Sequence, residues 1–175
     1  VEAYRDTPDG PFTSERVLTE LPDERDVFSP WVSRDGLRLY YARYDGGTTR
    51  IILRMVERNN TSEMWTWSKI FREIHINGKN DYSPTLTGDE LTLYFQSNRS
   101  GVYRIYKATR ATIESQFTNA VTVSELSIGE ESGGPCLLPD GLTIYFYVRS
   151  DTDIYDIYKA TRTTINEPFG NIEKV

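Results

Sequence analysis

Carboxylates are the side chains of this sequence with the most chemistry on offer. Asp35, Asp89 and Asp140 recur in the related settings "SRDG", "TGDE" and "LPDG". Two such groups held roughly 5–10 Å apart across a cleft could share the acid and the nucleophile or base roles of glycoside hydrolysis. A second set, Asp26, Asp81, Glu130 and Glu131, stands just ahead of three β-rich segments. Gathered at one mouth, these acids would attract a cation or a basic or polyhydroxylated ligand. A third set, Asp151, Asp153 and Asp156 in "SDTDIYD", offers oxygen ligands to Ca²⁺, without the Gly and Glu positions of an EF-hand loop. The single His75 and single Cys136 leave little for a zinc site or a Cys–His nucleophile pair, and read as a surface residue and a strand residue. No nucleophile elbow, phosphate loop or metal-ligand spacing occurs. No cofactor is implied, and Ca²⁺ at the Asp151 cluster is the one metal reading.

Charge narrows the partners. With 20 Lys and Arg against 26 Asp and Glu, the net charge of −6 opposes binding to nucleic acid or to an anionic membrane surface. No apolar run approaches the length of a membrane span. The chain opens on Val1 without a signal peptide, so a processed or trimmed N-terminus is expected.

The elements that must position these residues repeat. "IYKATRATIESQF" at 105–117 returns as "IYKATRTTINEPF" at 157–169. In both, an Arg is followed seven residues later by Phe: Arg110 to Phe117, and Arg162 to Phe169. Arg58 and Trp65 repeat the spacing, as do Arg5 and Phe12. A preceding block reads "FSPWVSRDGLRLYYAR", "YSPTLTGDELTLYFQS" and "GGPCLLPDGLTIYFYV", aligning Pro30, Pro84 and Pro135 along with the three recurrent Asp residues. A constant period near 52 residues marks a repeat architecture.

Each first block reads as a β-hairpin. Asp followed by Gly suits a tight turn, with a self-bonding side chain and a residue tolerant of positive φ. The Asp89–Glu90 turn lacks the Gly and is expected to be strained or differently typed. The following strand alternates, Leu91, Leu93 and Phe95 on one side and Thr92, Tyr94 and Gln96 on the other. The Pro is expected near the start of the first strand, where a missing N–H costs least. The second block adds two strands, so four short antiparallel strands fill each period, the outline of a propeller blade. "NNTSEMWTWSKIFREI" is expected to be loop and strand rather than helix.

These blocks resemble the TolB-like, WD-type β-propeller repeats of bacterial envelope and secreted proteins, over almost the whole chain. The resemblance implies an all-β propeller of four-stranded antiparallel blades, about three and a half of them here. Residues 1–21 would be the last strands of one blade, and 22–74, 75–126 and 127–175 the following three. It also implies a periplasmic or extracellular setting. A site used once does not need one carboxylate per blade, so the recurrent Asp residues are read as turn formers. The Arg column is read as pairing with a backbone group or acid of the next blade, and Phe12, Trp65, Phe117 and Phe169 as core between blades. The acids Asp26, Asp81, Glu130 and Glu131 fall near the channel mouth, where ligands sit, with a solvated loop as the plainer reading.

Two functions survive: a non-catalytic binding or scaffolding module meeting a protein or glycan through one face, which is favoured, and a glycoside hydrolase or lyase using the mouth acids. Four second blocks against three first blocks fall short of a closed ring. The ring is therefore expected to be completed by upstream sequence or by another chain.

Overall fold

The computed structural model describes residues 1–21, 26–46 and 48–175, and of residues 67 and 68 the backbone only. β1 (Glu2–Tyr4) and β2 (Ser14–Arg16) form a two-stranded sheet. Three four-stranded antiparallel sheets follow. The first is β3 (Val27–Val32), β4 (Arg38–Tyr44), β5 (Ile51–Glu57) and β6 (Trp67–Ile70). The second is β7 (Asp81–Leu86), β8 (Thr92–Ser97), β9 (Arg104–Thr109) and β10 (Thr118–Thr122). The third is β11 (Glu131–Leu137), β12 (Thr143–Arg149), β13 (Tyr155–Thr161) and β14 (Gly170–Lys174). The strands of each sheet pair in sequence order, and β7 packs against both β3 and β11. The sheets are propeller blades with their first strands innermost, and the ring is not closed. The 59–74 segment forms loop, β6 and one 3₁₀ turn at Arg72–Ile74, as its Trp alternation implied.

The hairpin turns show how a sequence repeat becomes a structural one. Asp35, Asp89 and Asp140 each accept the backbone N–H two residues on, at 3.0, 3.0 and 2.8 Å. The next residue takes positive φ: +73° at Gly36, +71° at Gly141, and +59° at Glu90. The Glu90 turn is thus of the same build as its Gly counterparts, and carries the strain a side chain meets there. The inner strands depart from expectation. Pro30, Pro84 and Pro135 lie in mid-strand rather than at the start, each after a residue of positive φ (Ser29 +50°, Ser83 +49°, Gly134 +58°). Strand register shifts at the same three places. A β-bulge already interrupts the ladder there, so the missing proline N–H costs nothing further.

The cores are the seams between blades. Tyr40, Ala42, Leu53, Met55 and Phe71 of the first blade meet Leu93, Phe95, Ala108 and Phe117 of the second. Tyr94, Ile105 and Val123 of the second meet Ile144, Phe146, Ala160 and Phe169 of the third. Full burial of each Leu, Ile, Val, Met or Phe among them contributes about 1.5–3 kcal/mol. The arginine column closes every seam. Arg58, Arg110 and Arg162 donate Nε–H to the turn carbonyls of Gly36, Glu90 and Gly141 at 2.9, 2.9 and 2.8 Å. Their guanidinium groups lie 4.2–4.4 Å from the centres of the Trp65, Phe117 and Phe169 rings. The backbone partner therefore belongs to the same blade. The bond between blades runs backward, to the Tyr40 hydroxyl from Arg110 (2.7 Å) and to the Tyr94 hydroxyl from Arg162 (3.2 Å). Arg5 also stacks on its ring, but Phe12 is 63% exposed where Trp65, Phe117 and Phe169 are buried.

Candidate functional site

Where the three inner strands run into their turns, they surround a cavity of about 550 Å³. Its lining repeats the sequence columns. Val32, Leu86 and Leu137 end the inner strands, and Arg34, Gly88 and Pro139 stand next to the turn Asp of each blade. Trp31 and Asp140 complete the wall. Trp31 is propped edge-on against Tyr40, with ring centres 5.5 Å apart. The cavity is thus largely apolar, with one cation on the first blade's side and one carboxylate on the third's. Asp140 is held in place by the Leu142 N–H and stays exposed. An apolar hollow with a few placed polar groups is the ordinary form of a binding site. It suits an apolar side chain entering along the axis, with flanking polar groups meeting Arg34 and Asp140.

The acids expected at the mouth stand at the opposite end of the inner strands, and they do not form a common acidic face. Asp81 is 1% exposed. One of its oxygens meets His75 Nδ1 at 2.8 Å, and the other accepts from Arg99 Nη2 at 3.2 Å. Arg99 also donates to the Ile74 carbonyl and lies over the Phe95 and Tyr106 rings. His75 is accordingly enclosed with Asp81, not the surface residue its isolation in the sequence implied. Glu131 pairs with Arg149 Nε at 3.5 Å, while Glu130 and Asp26 are exposed. Aromatic rings fill this end instead: Phe28 packs edge-on to Tyr44 and Tyr82, and Tyr82 to Tyr103. Burial first, then Tyr103 and Tyr44, pushes the Tyr82 hydroxyl up to about 12.

The Asp151, Asp153 and Asp156 run is likewise divided. Asp153 binds Arg149 at 2.7 Å, and Asp156 binds Lys174 at 2.8 Å. Among the described residues no three His, Cys, Asp or Glu side chains converge as a metal-ligand set. Asp35 and Asp89 rim one small cleft with Arg38 and Glu90, yet each carboxylate is bonded within its own turn.

Two groups of residues escaped the sequence reading. The cavity lining did, because strand alternation separates two faces without saying which residue ends at the axis. The seam acids did as well: Glu20 accepts from the Trp65 N–H and Glu125 from the Phe169 N–H. Glu90 goes further and binds Arg38 through both oxygens at 2.7–3.0 Å while accepting the Tyr40 hydroxyl at 2.6 Å. The only signal for it was a Glu where the other turns have Gly.

No protein-family model and no curated protein matches the sequence. Solved structures do. A TolB-designated protein of Agrobacterium tumefaciens superposes with TM-score 0.60 at 13% identity, over 89% of this chain and 50% of its own. A puromycin-hydrolysing peptidase of Mycobacterium tuberculosis superposes with TM-score 0.53 at 15% identity, over 81% of this chain and 21% of its own. The chain therefore spans half the length of the first and about a fifth of the second. Among the described residues no helix is long and apolar enough to cross a membrane. At these identities the likeness speaks for architecture alone, and the architecture it establishes is the β-propeller, of the kind that the TolB-designated structure has.

Proposed function

We propose that this propeller is a non-catalytic binding module that grips a protein segment in the axial cavity at the turn ends of its inner strands. The observation that carries the reading is the lining itself: Trp31, Val32, Leu86, Leu137 and Pro139 around one hollow, with Arg34 and Asp140 at its edges. Apolar walls favour an apolar protein side chain over a polyhydroxylated glycan, since they would desolvate hydroxyls without replacing their hydrogen bonds. The engagement of Asp81 by His75 and Arg99, and of Glu131 by Arg149, supports binding over glycoside cleavage, which needs carboxylates directed at one bond. We place the module outside the cytoplasm, on its likeness to TolB, and take further units of the repeat to wall the open side of the ring.

The test is to pan a displayed random-peptide library on the 175-residue chain alongside a glycan array. Peptides sharing an apolar anchor are expected, with binding at least ten-fold weaker for Val32→Asp, a change at a half-exposed position that leaves the cores intact. Glycans bound without any peptide, or binding indifferent to Val32→Asp, would overturn the reading.

A further inference from the structure

We propose that the groove between the second and third blades is a binding site for an uncharged saccharide, separate from the axial cavity. Both walls of this groove belong to neighbouring blades of the chain, so units added at either end would not enter it. The proposal does not rest on what the axial cavity holds.

The two internal seams are built alike but closed differently. Across the first, Arg38 binds Glu90 through both carboxylate oxygens, and Lys69 Nζ donates to the Glu114 carbonyl at 2.5 Å. These two bridges leave only separate clefts there, one beside Glu90 and one beside Lys69. Strand register makes Thr92, Lys107, Thr109 and Val121 the counterparts of Arg38, Met55, Glu57 and Lys69. Gly141 and Asn166 stand where Glu90 and Glu114 do. Neither bridge can therefore form in the second seam. A groove of about 610 Å³ runs unbroken there, from the Asp89 turn across β8 and β9 to β10, with residues 165–168 opposite.

The side chains left in the groove are suited to hydroxyl groups. The Thr92, Thr109 and Thr122 hydroxyls, the Asn166 carboxamide and the Lys107 ammonium line it and make no hydrogen bond within the protein among the described residues. They offer donors and acceptors together, so a polyhydroxylated ligand keeps its hydrogen bonds on entering. Val121, Ile165 and Pro168 supply apolar surface for the C–H face of a sugar ring. Three carboxylates, Asp89, Glu125 and Glu167, stand against two cations, Lys107 and Arg162. The acids are already bonded, to the Leu91 N–H, the Phe169 N–H and the Thr163 hydroxyl. Charge of both signs, nearly balanced, selects an uncharged ligand over an acidic one.

The 175-residue chain is tested on an array of neutral and acidic oligosaccharides, and the best neutral hit is then titrated by calorimetry. Neutral members are expected to bind. Thr109→Val removes one hydroxyl at nearly constant volume, and Val121→Lys rebuilds the bridge of the first seam. Both change exposed positions, and circular dichroism matching the parent confirms folding. Each should weaken saccharide binding at least ten-fold, while Val32→Asp, in the axial cavity, should leave it unchanged. An array without a neutral hit, binding that either seam variant leaves intact, or binding weakened by Val32→Asp would overturn the proposal. Peptide binding is read separately on the same variants, so this site and the cavity reading stand or fall independently.

Discussion

Glu90 sets two effects of known sign against each other. Its φ of +59° is one that Gly36 and Gly141 take freely in the equivalent turns, and a side chain there costs about 1 kcal/mol or somewhat more. Against this stands its carboxylate, 6% exposed, which binds Arg38 through both oxygens, accepts the Tyr40 hydroxyl and lies 3.9 Å from the fully buried Arg110 guanidinium. Removing one partner of a buried ion pair costs about 3–5 kcal/mol. Arg38 keeps Asp35 at 2.7 Å, and Arg110 keeps the carbonyls of Glu90 and Ile113, so the lower end, about 3 kcal/mol, applies. Glu90→Ala keeps the strain and loses the network, for a loss of about 3 kcal/mol. Glu90→Gly also loses the network but recovers the strain, for a loss of about 2 kcal/mol. Urea unfolding followed by tryptophan fluorescence orders the three proteins as parent, then Gly, then Ala. A Gly variant as stable as the parent would refute the reasoning, because the network would then outweigh nothing.

Asp89 is drawn below the ordinary aspartate range by the Thr87 hydroxyl first and the Leu91 N–H second. A depressed carboxyl stabilises the fold above its unfolded pKa and ceases to do so as pH falls through its folded one. Unfolding midpoints should therefore drop as pH falls below about 4, and less steeply in Asp89→Asn. Ser29→Gly and Ser83→Gly place glycine at φ of +50° and +49° in the inner-strand bulges, as Gly134 already is, and each should raise stability by about 0.5–1 kcal/mol in thermal unfolding. Arg110→Lys forfeits the fork that reaches Glu90, Ile113 and Tyr40 and should cost about 3 kcal/mol, while Arg5→Lys, at an exposed position, should change stability by under about 0.5 kcal/mol.

The sequence carried the architecture because local chemistry repeats with the blade. An Asp that accepts its own turn's N–H, a strand alternating Leu93 and Phe95 against Tyr94, and an Arg seven residues before a ring each act within one unit. What acts between units was harder to read. The arginines were expected to reach forward and instead reach back to Tyr40 and Tyr94, a direction fixed by how blades stack and not by spacing. Pro30 and its counterparts were placed at strand starts, since a bulge is invisible until register is known. Asp81 looked like a mouth acid from its position ahead of β7. Its burial depends on Arg99, eighteen residues away, folding back over Phe95 and Tyr106. The cavity was illegible for the same reason: Val32, Leu86 and Leu137 are ordinary strand-end residues until three blades bring them around one axis.

The most direct measurement of the central claim is amide hydrogen exchange on the chain saturated with its tightest selected peptide. The account predicts slowed exchange at the turn ends of the inner strands, around residues 31–38, 86–92 and 137–143, with residues 75–81 and 98–104 unchanged. Protection confined to those latter segments, at the Asp81 end of the axis, would contradict it.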